Sequence, residues 1–157
     1  MAFAQRNNLL LIEDDSNDVL LIQRAFERTR FNVPMSVVSD GDSAVGYLQG
    51  IEEYSDRLQH PLPSLILLDL KLPRRSGLEV LKWLRAQPHL CRIPVIALTA
   101  SREEADVDKA YEAGINSYVV KPSTFDGLFE MAKSIERYWI RLNLYPSIPI
   151  VDRLDAQ

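Results

Sequence analysis

Short, uninterrupted runs of apolar residues are the feature that most restricts the fold of this chain. Three of them show no polar alternation and cover residues 9–12, 65–70 and 94–98. A continuous apolar run is typical of a strand buried on both faces, whereas alternation is typical of a strand with one face in water. Two weaker runs, residues 35–39 and 118–120, are further strand candidates. A sheet buried on both faces requires helices on both sides.

Apolar residues at helical spacing occupy the segments between these runs. The last such pattern begins near Thr124 and ends before Pro146, with a predicted core stripe of Leu128, Met131, Ala132, Ile135, Trp139 and Leu142. Strand and helix alternate five times, which implies a parallel sheet with right-handed crossovers. We therefore predict a flavodoxin-like α/β fold, (βα)5, with a doubly wound parallel sheet in the strand order 2-1-3-4-5.

The length of 157 residues suits one domain. We expect the folded domain to span residues 1–145 and a tail to follow at 146–157. Residues 49–64 form a longer connection, rich in proline and charge, which we expect on the surface and to which the sequence assigns no function. The triplet Asp40-Gly41-Asp42 predicts a turn.

Composition narrows the class of protein. The net charge of −4 argues against a protein that mainly neutralises nucleic-acid phosphates. Cys91 is the only cysteine, which excludes an internal disulfide and a multi-cysteine metal site. No run approaches the roughly 18 apolar residues of a membrane span, and the first residues lack a secretory signal. We therefore expect a cytoplasmic protein with no membrane association.

Polar residues follow the predicted strands at their carboxyl ends, where ligands bind in sheets of this kind. Glu13 and Asp14 follow the first strand, Asp69 the third, Thr99 the fourth and Lys121 the fifth. Each alone fits an ordinary role at a helix start, in a strand or on the surface. Carboxylates this close repel one another by about 4 kcal/mol per pair at 4 Å, with an effective dielectric near 20. The cluster therefore predicts bound cations.

The ligand types favour Mg²⁺ as one of these cations, because oxygen donors from Asp14, Asp69 and a backbone carbonyl suit a hard metal. His60 and His89 adjoin prolines and are predicted to be solvated loop residues. Lys121 supplies the second positive charge. With both cations present, the carboxylate of Asp69 can attack phosphorus and form an aspartyl phosphate, while Thr99 hydrogen-bonds a phosphoryl oxygen.

Four segments resemble the receiver domain of bacterial two-component response regulators. They read LLLIEDDSNDVLL, LILLDLKLPRRSGLEVL, IPVIALTA and AGINSYVVKP, in this order, and the resemblance extends from about residue 9 to residue 143. It implies roles for individual residues: a phosphoacceptor at Asp69, Mg²⁺ ligands at Glu13, Asp14, Asp69 and the backbone carbonyl of Lys71, phosphoryl-binding groups at Thr99 and Lys121, an aromatic switch at Tyr118, and a cis bond between Lys121 and Pro122.

Finer features, HPLPSLILLDLKLPRRSG and IERYWIRLNLYP, are similar to the small stand-alone regulators that work with bacterial phytochromes, notably in cyanobacteria. The resemblance implies that a sensor histidine kinase, here a phytochrome, donates the phosphoryl group. Output would pass to a protein through the face from the fourth to the fifth helix, without direct DNA binding.

Two alternatives remain. A Mg²⁺-dependent phosphohydrolase would form the same aspartyl phosphate during turnover, but it would want a carboxylate two residues after the nucleophile, where this chain has Lys71. A receiver-like module that is never phosphorylated is disfavoured because the full set of acids, threonine and lysine is present.

Apolar residues off the core stripe of the last helix, together with those of the tail, predict a homodimer through this helix and tail. The alternative is that the tail covers them within one chain. These residues are Phe129, Tyr138, Ile140, Leu144, Tyr145, Ile148, Ile150 and Val151.

Overall fold

The computed structural model describes residues 7–148. Five parallel strands form one sheet in the order β2-β1-β3-β4-β5, which confirms the predicted flavodoxin-like topology. Leu9 at the start of β1 lies opposite both Met35 and Leu65, so the three strands begin at one level. The strands are β1 (Leu9–Ile12), β2 (Met35–Val38), β3 (Leu65–Leu68), β4 (Val95–Thr99) and β5 (Ser117–Val120).

Helices follow the strands, and side chains cap most of their amino ends. The helices are α1 (Ser16–Glu27), α2 (Gly41–Gln49), α3 (Gly77–Arg85), α4 (Glu104–Glu112) and α5 (Phe125–Ile135), with a 3₁₀ turn at Glu52–Tyr54. The predicted turn at Asp40 is wrong: Asp40 accepts a hydrogen bond from the Ser43 N–H and caps α2. An aspartate that starts a turn and one that caps a helix make the same bond to backbone. Within residues 7–148 no helix is long and apolar enough to cross a membrane.

The core consists of two layers, one on each face of the sheet. Successive residues of a strand point to opposite faces, so Leu10 and Ile12 pack in a cluster with α2, α3 and α4, whereas Leu9 and Leu11 pack with α1 and α5. All four are at most 1% exposed. The continuous apolar runs therefore reflect burial on both faces, as predicted, and the ends of the strands remain available for a site.

The connection at residues 49–64 is anchored to the helix that precedes it. The guanidinium of Arg57 donates hydrogen bonds of 2.7 and 2.8 Å to the carbonyls of Tyr47 and Leu48, in the last turn of α2. The His60 ring packs edge-on against Tyr47 and Tyr54, and the rings of Tyr47 and Tyr54 are tilted by 55° to each other. The prediction of a solvated His60 is therefore wrong, because aromatic rings that the sequence does not place beside it half-bury the imidazole; His89 is exposed as predicted.

The last helix changes its winding after α5 and continues as a π-helix over Glu136–Leu142. A π-helix bonds i to i+5 and so turns fewer degrees per residue than the α-helix assumed in the sequence analysis. The predicted stripe consequently fails at Leu142, which is 68% exposed, while Ile140, predicted off the stripe, packs against the α1–α5 cluster. Beyond the helix, Tyr145 and Ile148 pack against the core of their own chain. Ile150 and Val151 lie outside the described residues.

Candidate functional site

The carboxyl ends of four strands bring the predicted site residues to one edge of the sheet. Glu13 and Asp69 directly follow β1 and β3, whose last residues, Ile12 and Leu68, are paired. The Asp69 N–H donates to the Ile12 carbonyl at 3.0 Å. At the other side of the site, the Lys121 N–H donates to the carbonyl of Thr99 at 2.9 Å. These backbone hydrogen bonds thus fix the positions from which the side chains of the site extend.

The ammonium group of Lys121 lies at the centre of the site. Its Nζ is 2.6 Å from Glu13 Oε2, 3.0 Å from Asp69 Oδ2 and 3.0 Å from Asp18 Oδ2. Of its three N–H donors, two make hydrogen bonds, to Asp18 and Asp69, whereas Glu13 Oε2 forms an ion pair without hydrogen-bond geometry. Burial alone would lower the pKa of Lys121, but the contacts with these carboxylates outweigh it and raise the pKa above its usual value. Lys121 is therefore positively charged at any physiological pH.

Asp69 is held through both of its carboxylate oxygens. Oδ2 contacts Lys121, and Oδ1 accepts a hydrogen bond of 3.0 Å from the Lys71 N–H. The side chain is only 7% exposed. Helix α3 begins close behind it at Gly77, where any β-carbon would collide with the Asp69 carbonyl oxygen. The result is a buried, fixed carboxylate at the strand end.

Glu13 is the most deeply buried acid of the site, at 1% exposure. Burial raises the pKa of Glu13 to about 7, and the neighbouring charge of Asp69 contributes in the same direction, while the contact with Lys121 opposes it. Oε1 also accepts a hydrogen bond of 3.2 Å from the Asp15 N–H. Glu13 is thus poised to gain or lose a proton near neutral pH.

The acidic residues form a potential site for a divalent cation. One oxygen from each of Glu13, Asp14 and Asp69 lies within 4.8 Å of the others, and Asp14 is exposed at the rim. Together with Asp18, the site holds four carboxylates and one ammonium, that of Lys121, which leaves an excess of negative charge. Carboxylate oxygens are the donors that hard divalent cations prefer. The residues present therefore fit a divalent metal.

Thr99 and Tyr118 lie on the far side of the site from Asp14. The hydroxyl oxygen of Thr99 is buried without a hydrogen-bond partner, and the residue is 1% exposed. A buried hydroxyl without a partner costs free energy, and an incoming oxygen would satisfy it. The Tyr118 hydroxyl donates a 2.9 Å hydrogen bond to the carbonyl of Ser101, in the connection between β4 and α4. Burial raises the pKa of Tyr118.

Two details differ from the sequence analysis. None of the peptide bonds among residues 7–148 is cis, so the expected cis bond before Pro122 is wrong; it was implied by the family resemblance alone, against the general preference of such bonds for trans. Sequence reasoning also assigned no role to Asp18. The sequence feature that could have indicated a role for Asp18 is its position in the first turn of α1, the helix that follows the acidic end of β1.

Known proteins match this chain in sequence over most of its length. Residues 9–133 match the family described as response regulator receiver domain. Response regulator Rcp1 of Synechocystis sp. is 37% identical over 139 residues, covering 88% of this chain and 92% of Rcp1. The probable methanogenesis regulatory protein FilR2 of Methanothrix harundinacea is 38% identical over 138 residues, covering 88% of this chain and 86% of FilR2.

Solved structures match the fold as well. The crystal structure of the phosphorylated cyanobacterial phytochrome response regulator RcpA has a TM-score of 0.83 at 36% identity, covering 90% of this chain and 99% of RcpA. The crystal structure of the Mn²⁺-bound form of Rcp1 has a TM-score of 0.81 at 37% identity, again covering 90% of this chain and 99% of that one. The family match over residues 9–133 spans the positions from Glu13 to Lys121.

Proposed function

This chain belongs to the response regulator receiver family, and from that premise we propose that Asp69 is the carboxylate on which it accepts a phosphoryl group. The observation that carries the proposal is the Lys121 ammonium, which contacts Asp69 and Glu13 at adjoining strand ends. A carboxylate must approach a phosphoryl group that is itself negative, and a fixed cation offsets this repulsion.

The reaction is a transfer from a phosphohistidine to Asp69. A carboxylate oxygen of Asp69 attacks phosphorus, the new P–O bond forms as the P–N bond to the imidazole breaks, and the imidazole leaves with the electron pair and takes a proton. Lys121 binds a phosphoryl oxygen, and the Thr99 hydroxyl, which has no partner in this structure, donates a hydrogen bond to another. The family resemblance and the orphaned hydroxyl support these two roles.

Mg²⁺ is the metal that we propose for the acidic residues. Glu13, Asp14, Asp69 and the backbone carbonyl of Lys71 would hold it, and it would supply charge neutralisation for the phosphoryl oxygens. The clustered carboxylate oxygens and the Mn²⁺-bound form of Rcp1 support a divalent metal at this site. The all-oxygen donor set of the site and the resemblance to the receiver family favour the hard ion Mg²⁺.

A sensor histidine kinase of the phytochrome type is the partner that we propose, acting in the cytoplasm. The similarity to RcpA supports this partner, since RcpA is a cyanobacterial phytochrome response regulator. We propose a signalling protein without metabolic turnover that catalyses its own phosphorylation and dephosphorylation. The phosphohydrolase alternative is not favoured, because position 71 carries a lysine where that reaction would want a carboxylate.

The signal would leave the site through Tyr118. When a phosphoryl oxygen draws in the Thr99 hydroxyl, space opens beside it, and Tyr118 gives up its bond to the Ser101 carbonyl and turns inward. Phosphorylation would thereby bias an element with two states. The surface from α4 to α5 would change and engage a protein target, without direct contact to DNA.

We propose a homodimer through the last helix and tail, with a receiver unit at residues 1–145 and a tail at 146–157. The surface that supports it consists of Tyr138, Leu142 and Leu144, which are 53%, 68% and 93% exposed. Such side chains are candidates for an interface. Ile140 is not part of this surface, because it packs inside its own chain.

Intact-protein mass spectrometry after incubation with acetyl phosphate tests the proposed acceptor. We expect a Mg²⁺-dependent gain of about 80 Da, one phosphoryl group, which is absent in EDTA and in Asp69→Asn. The Asp42→Asn variant is the matched control, because it removes an acid from the first turn of α2 that pairs with Arg75. Undiminished labelling of Asp69→Asn would refute the proposal.

A further inference from the structure

Asp18 contacts Lys121, although the family resemblance assigned it no role. It lies in the first turn of α1, and its Oδ2 is as close to Lys121 Nζ as the Oδ2 of Asp69 is, at 3.0 Å. Its side chain is 40% exposed, against 1% for Glu13 and 7% for Asp69. Lys121 therefore has two buried partners and one partner that water can reach.

Phosphorylation of Asp69 changes what Lys121 has to bind. An acyl phosphate carries more negative charge than the carboxylate that it replaces, and it offers new acceptor oxygens. Lys121 already contacts three carboxylates and donates hydrogen bonds to two of them, Asp18 and Asp69, so a phosphoryl oxygen gains a further donor most readily where one of these acids releases it. If Glu13 released Lys121, it would become a buried carboxylate without a charged partner, which is costly. Asp18 can be released into water at much lower cost.

We propose that Asp18 is a positioning residue that restrains Lys121 in the unphosphorylated protein and so limits how readily Asp69 acquires a phosphoryl group. Two acceptors that each lie 3.0 Å from one nitrogen are at most 6 Å apart. At this distance one unit charge changes the affinity for an added negative charge by roughly threefold in water-like surroundings, and by more where the dielectric is lower. The inference rests on the proposed role of Asp69.

Labelling by acetyl phosphate at saturating Mg²⁺ tests this role in the Asp18→Asn variant. We expect the half-saturating concentration of acetyl phosphate to fall by roughly threefold or more. The NMR signal of the Lys121 side chain should also shift, because its hydrogen bond to Asp18 is lost. A purely structural role of Asp18 in starting α1 would produce neither change.

The Asp42→Asn variant serves as the control here too, since Asp42 is an acid in the first turn of α2, is 51% exposed and pairs with Arg75. It should label as the wild type does. An unchanged or higher half-saturating concentration in a folded Asp18→Asn variant would overturn this inference alone. An unlabelled wild type would refute the role of Asp69 and this inference with it.

Discussion

Replacement of Glu13 by Gln should change how the stability of this protein depends on pH. Glu13 is 1% exposed, and burial raises its pKa from 4.5 to about 7. An acid whose pKa is raised in the folded state binds its proton more tightly there than in the unfolded chain. Its contribution to stability is therefore fully present below pH 4.5 and is lost as the pH rises through about 7. Gln cannot ionise and keeps the same shape.

The size of the effect follows from the two pKa values. Each pH unit between them corresponds to about 1.4 kcal/mol, so ionisation of Glu13 lowers the free energy of unfolding by about 3 kcal/mol over the whole range. About 2.5 kcal/mol of this falls between pH 5 and pH 8. Lys121 keeps its charge throughout and retains Asp69 and Asp18 as partners in the variant.

Urea unfolding of wild type and Glu13→Gln, in EDTA at several pH values from 5 to 8, measures this quantity. Subtracting the two free energies of unfolding at each pH cancels the contribution of every other group whose titration the substitution leaves unchanged. We expect the free energy of unfolding of the variant to rise relative to that of the wild type as the pH rises. Added Mg²⁺ should stabilise the wild type relative to the variant above pH 7, because the ion stabilises ionised Glu13. A difference that stays constant within roughly 0.5 kcal/mol, the usual error of additivity, would refute this reasoning.

Three further predictions concern the switch, the dimer and the long connection. Thr99→Ala should still allow labelling but should weaken the NMR shift changes that phosphorylation causes at Tyr118; unchanged shifts would contradict the coupling. Leu142→Glu should weaken a dimer seen by sedimentation at micromolar concentration, and a strictly monomeric wild type would contradict the interface. Arg57→Ala should lower the free energy of unfolding by about 2 kcal/mol or more, because carbonyls at the end of α2 lose a charged donor. The control Leu58→Ala, at a side chain 95% exposed, should have little effect in the same urea titration.

The sequence predicted the sheet and the site edge because both depend on local patterns. Continuous apolar runs report burial on both faces, and in a parallel sheet everything that follows a strand lies at one edge. This is why Glu13, Asp69 and Lys121 could be brought together in advance. Their exact partners could not, because a contact such as that of Asp18 with Lys121 joins residues 103 positions apart through side-chain geometry.

The wrong predictions were made from local sequence, and the surroundings of each residue in the folded chain changed the outcome. Extrapolation at 3.6 residues per turn failed at Leu142 because the helix becomes a π-helix after α5. His60 beside a proline was predicted to be solvated, and it is half-buried because Tyr47 of α2 and Tyr54, earlier in the same connection, pack against it. Asp40 caps a helix with the same bond that would start a turn. The burial of His60 depends on packing that no local pattern encodes.

Localisation of the phosphoryl group within the chain tests the central claim most directly. Protein labelled with acetyl phosphate and Mg²⁺ is treated with borohydride, which reduces an aspartyl phosphate, and is then digested and sequenced by tandem mass spectrometry. We predict that the reduced residue is Asp69, in the peptide that contains β3, and that neither Asp14 nor Asp18 is reduced. A phosphoryl group found on a histidine, serine or threonine, or on any acid other than Asp69, would contradict the account.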